Sequence, residues 1–210
     1  MKGLFITFEG GEGAGKSTLI ERLNEALRAK GRVVLKTRAP GGTKAGETIR
    51  SLLLNRDGVE LVPRAELLLF LADRAEHVDE VIAPALKRGE IVLCDRYNDS
   101  TVAYQGIARG LGEEEVRKLC RFATDNLEPN LTFYLDLDPT IGLQRVKKMR
   151  EGKDRIEAEK LSFHQKIRAA FHQLAKKEEK RFRILDATQS PDQVFSQAVE
   201  AIDDFLASSR

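Results

Sequence analysis

Residues 10–17 read Gly10-Gly11-Glu12-Gly13-Ala14-Gly15-Lys16-Ser17, and Thr18 follows. An apolar run, Leu4-Phe5-Ile6-Thr7-Phe8, precedes them, and the amphipathic stretch Thr18-Leu19-Ile20-Glu21-Arg22-Leu23 comes after. Strand, glycine-rich loop and helix in this order make the G-x-x-x-x-G-K-[ST] pattern a P-loop. The constraint is strong because the loop has to leave a buried strand and open a helix. The glycines let consecutive backbone N–H groups curl around an anion, and the helix N-terminus adds its positive dipole. Lys16 is then placed to reach β- and γ-phosphates, and the Ser17 hydroxyl to hold Mg²⁺. The chain is expected to bind a nucleoside triphosphate.

The rest of the 210 residues supports one α/β domain. Strands are expected at 32–37, 90–95, 131–137 and 182–186, separated by stretches that have room for helices. This β-α-β alternation predicts a P-loop NTPase-type three-layer sandwich, a five-stranded, mostly parallel sheet with helices on both faces. Ligands of such sheets lie beyond the C-terminal strand ends. A final helix from about Pro191 to Leu206 is expected, with Ser190 as its N-cap. The net charge of +2 implies no whole-molecule attraction to nucleic acid or membrane. No apolar run has the length of a membrane span. The chain enters its first strand at once, with no room for a signal peptide, so a cytoplasmic location is expected. Cys94 and Cys120 have no ligand spacing and read as buried reduced thiols.

Five further segments carry chemistry. The third strand ends in Cys94-Asp95-Arg96-Tyr97. Asp95 is placed to orient Mg²⁺ beside Ser17, and Arg96 to fork onto a phosphate. The second strand runs into Thr37-Arg38-Ala39-Pro40-Gly41-Gly42-Thr43, a turn that presents Arg38 at the same sheet edge. Residues 64–82 form a helical pattern with Leu67, Leu68, Leu71, Ala75, Val78 and Ile82 as its apolar stripe. Phe70 and Arg74 are four residues apart on an adjacent face, where Phe70 fits either the core or a base-stacking wall. After the third strand, Asn98 to Gly106 reads by itself as a capped helix start, in which Thr101, Tyr104 and Gln105 are able to share a face toward the cleft. Residues 145–155 hold six cations, Arg145, Lys147, Lys148, Arg150, Lys153 and Arg155, and Gly152 interrupts them. This run reads either as a solvated helical face or as a mobile lid that brings an Arg onto a transferring phosphoryl group.

Taken together, the segments resemble the bacterial thymidylate kinase family. The resemblance rests on Phe8 to Thr18, Thr37 to Thr43, Asp95-Arg96-Tyr97 with Ser100-Thr101 and Ala103-Tyr104-Gln105-Gly106, Asp154-Arg155-Ile156-Glu157, and Asp186-Ala187-Thr188-Gln189. It covers essentially the whole chain and implies transfer of the ATP γ-phosphate to dTMP, with Mg²⁺, giving dTDP for dTTP synthesis. Lys16, Asp95, Arg96 and Arg150 would be catalytic. Gly10 to Thr18, Arg145 and Gln189 would bind ATP. The resemblance implies that Glu12 binds near the sugar 3′-OH, Arg38 and Arg96 hold the acceptor phosphate, Phe70 stacks the thymine and Arg74 bonds its O4. Thr101 and Gln105 would contact the base edge, Ser100 would join the substrate wall, and Tyr104 would pack where a ribose 2′-OH collides. Gly13 follows the P-loop acid, a pattern that in this family accompanies a catalytic Arg in the lid, here at about 145–156. The family is homodimeric, usually through helices that include the one bearing Phe70 and Arg74.

One residue departs from the pattern: Ala39 stands where the family usually has Glu. Two other functions fit the same P-loop, a kinase for dUMP, UMP or another nucleoside and a silent nucleotide binder. The second expects loss of Lys16, Asp95 or the lid cations, all of which are present. The Asn-Lys-x-Asp guanine reader of GTPases is absent from the sequence.

Overall fold

The computed structural model describes residues 3–55, 60–149 and 154–208. Five strands form one sheet, β1 (Leu4–Glu9), β2 (Val34–Arg38), β3 (Ile91–Asp95), β4 (Leu131–Asp136) and β5 (Phe182–Asp186). Their order is β2-β3-β1-β4-β5, and every pairing is parallel. The expected "mostly parallel" sheet is thus wholly parallel among the described residues. Each of the six residues of β1 is buried, as expected of a central strand covered on both faces. Its one hydroxyl, Thr7 Oγ1, meets Thr132 Oγ1 of β4 at 2.8 Å, so burial leaves no orphaned polar group there.

The helices are α1 (Lys16–Ala29), α2 (Lys44–Leu54), α3 (Pro63–His77), α4 (Ala83–Lys87), α5 (Asn98–Thr101), α6 (Glu113–Ala123), α7 (Pro139–Met149), α8 (Leu161–Lys177) and α9 (Pro191–Ser208). Leu4, Ile6 and Phe8 of β1 pack with α1 and α9 through Leu19, Leu23, Val194 and Ile202. Phe5 points to the opposite face and packs with Val78, Ile82, Val92 and Tyr97. A further core joins α3, α6 and α8 through Leu71, Val116, Ile167 and Phe171. Side-chain alternation along the strands therefore produces the three layers. Ser190 caps α9 as expected: its Oγ accepts the Gln193 N–H at 3.3 Å, and Gln193 Oε1 accepts the Ser190 N–H at 3.1 Å.

Two expectations need adjustment. Leu68, placed on the apolar stripe of α3, is 61% exposed. The buried face of α3 is instead shared with polar residues, Glu66, Asp73, Arg74 and His77. In addition, α3 continues as a π-helical turn, Val78–Ile82, and α5 as another, Val102–Ala108. The wider turn after α5 closes with Arg109 N–H on the Tyr104 carbonyl at 2.9 Å, and such turns are frequent at functional sites.

The P-loop rests directly on α7. A Cβ built at Gly142 would lie 2.2 Å from the Glu12 carbonyl oxygen, and one at Gly13 would lie 2.3 Å from the Gly142 carbonyl oxygen. Gly142→Ala therefore tests this docking. In an exposed helix the change gains roughly 1 kcal/mol; here overpacking is expected to cost about 1–3 kcal/mol. A melting temperature that falls by several degrees is the expected result, and a rise would show that the two segments are not in contact.

Candidate active site

The loop after β1 turns on glycines with positive φ, at Gly13 (68°) and at Gly15 (93°), the latter immediately ahead of α1. Lys16 is buried, and its Nζ donates to the carbonyls of Gly10 and Gly11 at 3.1 and 2.9 Å. Burial and then the nearby Arg96 charge hold the Lys16 pKa below its ordinary value. Ser17 and Thr18 line a cavity of about 870 Å³ together with Glu12 to Lys16. The same cavity is bordered by Arg38, Asp95, Arg96, Arg145 and Gln189. Ser17 Oγ donates to Asp95 Oδ2 at 3.4 Å, and Asp95 Oδ1 is buried with no hydrogen-bond partner among the described residues. A hydroxyl beside a carboxylate with one unused buried oxygen fits the donor set of a hard divalent cation.

A narrower recess of about 100 Å³ adjoins this cavity. Its walls include Phe70, Arg74, Ser100, Thr101, Tyr104 and Gln105. Glu12, Ala39, Arg50, Arg96 and Asp154 border both spaces. Phe70, open to either reading from the sequence, is half-buried on the recess wall and belongs to none of the three cores. Arg74 is buried over the Tyr97 ring at 4.6 Å, and its Nε and Nη1 have no hydrogen-bond partner among the described residues. These are unused donors at the recess wall.

Arg96 stands where the two spaces meet. Its φ is 68°, a left-handed conformation that a non-glycine residue adopts only when its surroundings impose it. Those surroundings come from β1. The Arg96 N–H donates to the Phe8 carbonyl at 3.0 Å, the Tyr97 N–H to Glu9 Oε1 at 2.8 Å, and Ser100 Oγ to Glu9 Oε2 at 2.5 Å. The guanidinium then donates to the Gly10 carbonyl, Ser100 Oγ and Tyr104 Oη at 3.1–3.2 Å, and to Glu12 Oε1 at 2.5 Å. Burial would raise the Glu12 pKa, but the Arg96 and Lys16 charges outweigh it and keep Glu12 ionised.

Arg38 is half-exposed at the cavity rim, with Nη2 on Glu47 Oε1 and Oε2 at 3.0 and 3.1 Å. Its loop is held from α3: Asp73 Oδ1 accepts the Gly41 N–H at 2.7 Å, and Thr37 Oγ1 meets His77 Nε2 at 2.6 Å. Burial pushes Asp73 up to about 6 and His77 down to about 4. On the far side, Arg145 Nη1 donates to the Gly13 and Ala187 carbonyls at 3.4 and 3.3 Å. Arg150, the expected lid arginine, lies outside the described residues, as do Gly152 and Lys153.

The structure therefore gathers nearly all the expected site residues that it describes around two joined spaces. Gly10 serves instead through its carbonyl, and Gly11 lines a separate small hollow beside His164. Sequence reasoning passed over Arg50, whose Nη1 donates to the Pro40 carbonyl at 2.8 Å, and it gave no role to Glu9, Glu47 or Glu66.

A thymidylate kinase family model matches residues 8–198. Among curated relatives, a thymidylate kinase of Protochlamydia amoebophila is 50% identical, over 97% of this chain and 93% of its own length. One of Geobacillus thermodenitrificans is 49% identical, over 96% and 90%. A crystal structure of a thymidylate kinase from Ehrlichia chaffeensis superposes with a TM-score of 0.77 at 31% identity, covering 96% of this chain and 99% of that one.

The Glu9 clamp has a signature in pH. Burial, then the Asp99 charge, pushes the Glu9 pKa from 4.5 up to about 7. Between these values the folded chain holds a proton that the unfolded chain has lost, so stability falls as pH rises through that window. Glu9→Gln mimics the protonated form. Thermal melts of both proteins should nearly coincide at pH 4 and separate by pH 8, with the variant the more stable by at least about 1 kcal/mol. A constant difference across pH would remove Glu9 from this titration.

Proposed function

The chain belongs to the thymidylate kinase family, and we propose that it transfers the γ-phosphate of ATP to dTMP, giving dTDP and ADP. The observation that carries this reading is the pair of joined spaces. One is floored by the P-loop and the other is walled by Phe70 and the buried, unused donors of Arg74. They meet at Arg96, Glu12 and Arg50, where a transferred group would have to pass.

In this reading ATP lies over Glu12 to Thr18, with Arg145 and Gln189 beside the base. The acceptor enters the recess, its base against Phe70 and Arg74 and its phosphate toward Arg96 and Arg38. The Lys16 ammonium exchanges its two loop carbonyls for phosphate oxygens. A phosphate monoester is already anionic, so the chain supplies no strong base. Its work is to align donor and acceptor and to surround the moving charge with cations. Ser17 and Asp95 would hold Mg²⁺, which neutralises phosphate charge when bound. Tyr104, fixed by its hydrogen bonds to Arg96 and Glu12 at 3.1 and 3.3 Å, would exclude a 2′-hydroxyl. The lid role of Arg150 and its neighbours rests on the family resemblance. The same resemblance supports a homodimer paired through α3, which carries Leu68 and follows Val62, both well exposed. A cytoplasmic location accords with the finding that no helix among the described residues is long and apolar enough to cross a membrane.

A coupled ADP-release assay with ATP and Mg²⁺, offering dTMP, dUMP, UMP, dCMP and thymidine separately, tests the proposal. Turnover should be strongest with dTMP, and preference for another acceptor would discard the assigned recess. Lys16→Ala should lower kcat roughly 10²–10³-fold in a chain that still melts cooperatively. Near-normal turnover would displace the P-loop lysine from the chemistry.

A further inference from the structure

Glu66 lies on α3 one helical turn before Phe70, and it is 1% exposed. Three hydrogen bonds and one ion-pair contact converge on its carboxylate. Gln105 Nε2 and Arg109 Nε reach Oε1 at 2.7 and 3.1 Å, and Arg109 Nη2 and Arg155 Nη2 lie 3.2 and 2.6 Å from Oε2. Burial alone would raise its pKa, but the hydrogen bonds from Gln105 and Arg109 outweigh this and hold it below its ordinary value. The group is therefore an ionised carboxylate, which accepts hydrogen bonds and donates none.

This settles which way the neighbouring amide points. Gln105 borders the recess beside Phe70 and Arg74. Only its N–H₂ can face a carboxylate, since the reverse orientation would set Oε1 against Glu66 and leave a buried acceptor unpaired. The amide atom left for a ligand is Oε1, an acceptor.

We propose that Glu66 is a specificity-determining residue that acts through Gln105, by locking the amide so that the recess offers an acceptor to the base edge. Thymine presents N3–H there, a donor, whereas cytosine presents N3 as an acceptor. The pair Glu66–Gln105 selects the first and rejects the second. This inference rests on the dTMP reading of the recess. Glu66 is a positioning residue, because nothing in its own geometry brings it to the substrate.

The test compares kcat/KM for dTMP with that for 5-methyl-dCMP, which keeps the methyl group and the sugar phosphate. In Glu66→Gln the side chain can turn its own N–H₂ toward Gln105, which lets that amide rotate. The preference for dTMP should then fall about tenfold, the scale of one mismatched buried hydrogen bond. The contribution of Arg74 at the neighbouring ring position is present in both proteins and cancels in the comparison. A variant that loses both activities in equal proportion, with the ratio unchanged, would show a merely structural role and overturn the proposal. Failure of the wild-type chain to phosphorylate dTMP at all would instead overturn the function reading. Should that variant not fold, Gln105→Met, which removes the amide, decides: its preference for dTMP over 5-methyl-dCMP should likewise fall about tenfold, and an unchanged preference would refute an acceptor at Gln105.

Discussion

The site depends on one guanidinium held in an otherwise unfavourable place. Arg96 has a left-handed backbone and lies against the P-loop, and its donors go to Gly10, Glu12, Ser100 and Tyr104. It connects β1, which supplies the P-loop, to β3, which supplies Asp95 and the start of the recess. A lone buried charge would be intolerable, and here Glu12 balances it at 2.5 Å. The strain of the turn is met by Glu9, which ties down the Tyr97 N–H and Ser100 from behind. The rest of the site is arranged around this joint. Displacing Arg96 would disturb the loop carbonyls that Lys16 also uses, the tyrosine on the recess wall and the P-loop acid together.

The same economy recurs along α3. Its buried face is half polar, and each polar residue holds a different neighbour. Asp73 and His77 tether the Arg38 loop, Arg74 lies over Tyr97, and Glu66 gathers Gln105, Arg109 and Arg155. A purely apolar α3 would pack the core, yet it would leave the loop on one side and the base wall on the other unconnected. Because one helix holds both, the Arg38 loop and the recess wall are positioned by a common element.

Much of this was legible before any coordinates. The central parallel strands, buried on both faces, require continuous apolar runs, the edge strands β2 and β5 show shorter ones, and all five were found within two residues at each end. The P-loop and the Asp95-Arg96 pair were equally plain, since their chemistry needs those residue types at those spacings. What stayed hidden were the partners. Ser100 reaches a carboxylate 91 positions away, and Gln105 one 39 away. No local periodicity encodes such pairs, and an isolated Glu in a helix reads as a solvated charge. Leu68 failed for the converse reason. The stripe assumed that burial on α3 follows hydrophobicity, but hydrogen-bonded charges took the buried positions and left a leucine outside. Phe70 was ambiguous because a ring on a recess wall and a ring in a core have the same spacing.

Ala39 shows what the altered motif does to the charge at the junction. The residue is 2% exposed and borders both spaces, and its N–H is fixed to the Asp95 carbonyl at 2.9 Å. A carboxylate here, as the family usually has, would stand amid Arg38, Arg50 and Arg96. Without it, the remaining acids come from other elements. Glu47 takes Arg38, and Glu12 takes Arg96. Among the described residues Arg50 donates only to a backbone carbonyl, that of Pro40, with Glu47, Asp154 and Asp95 offsetting its charge through space. Burial and the Arg38 charge press its pKa down, the mark of a cation short of compensation. An anion at the junction would relieve that shortage. In the proposed reaction the substitution thus leaves a more cationic meeting point for two phosphate-bearing ligands, where Arg50, bordering both spaces, gains an anionic partner.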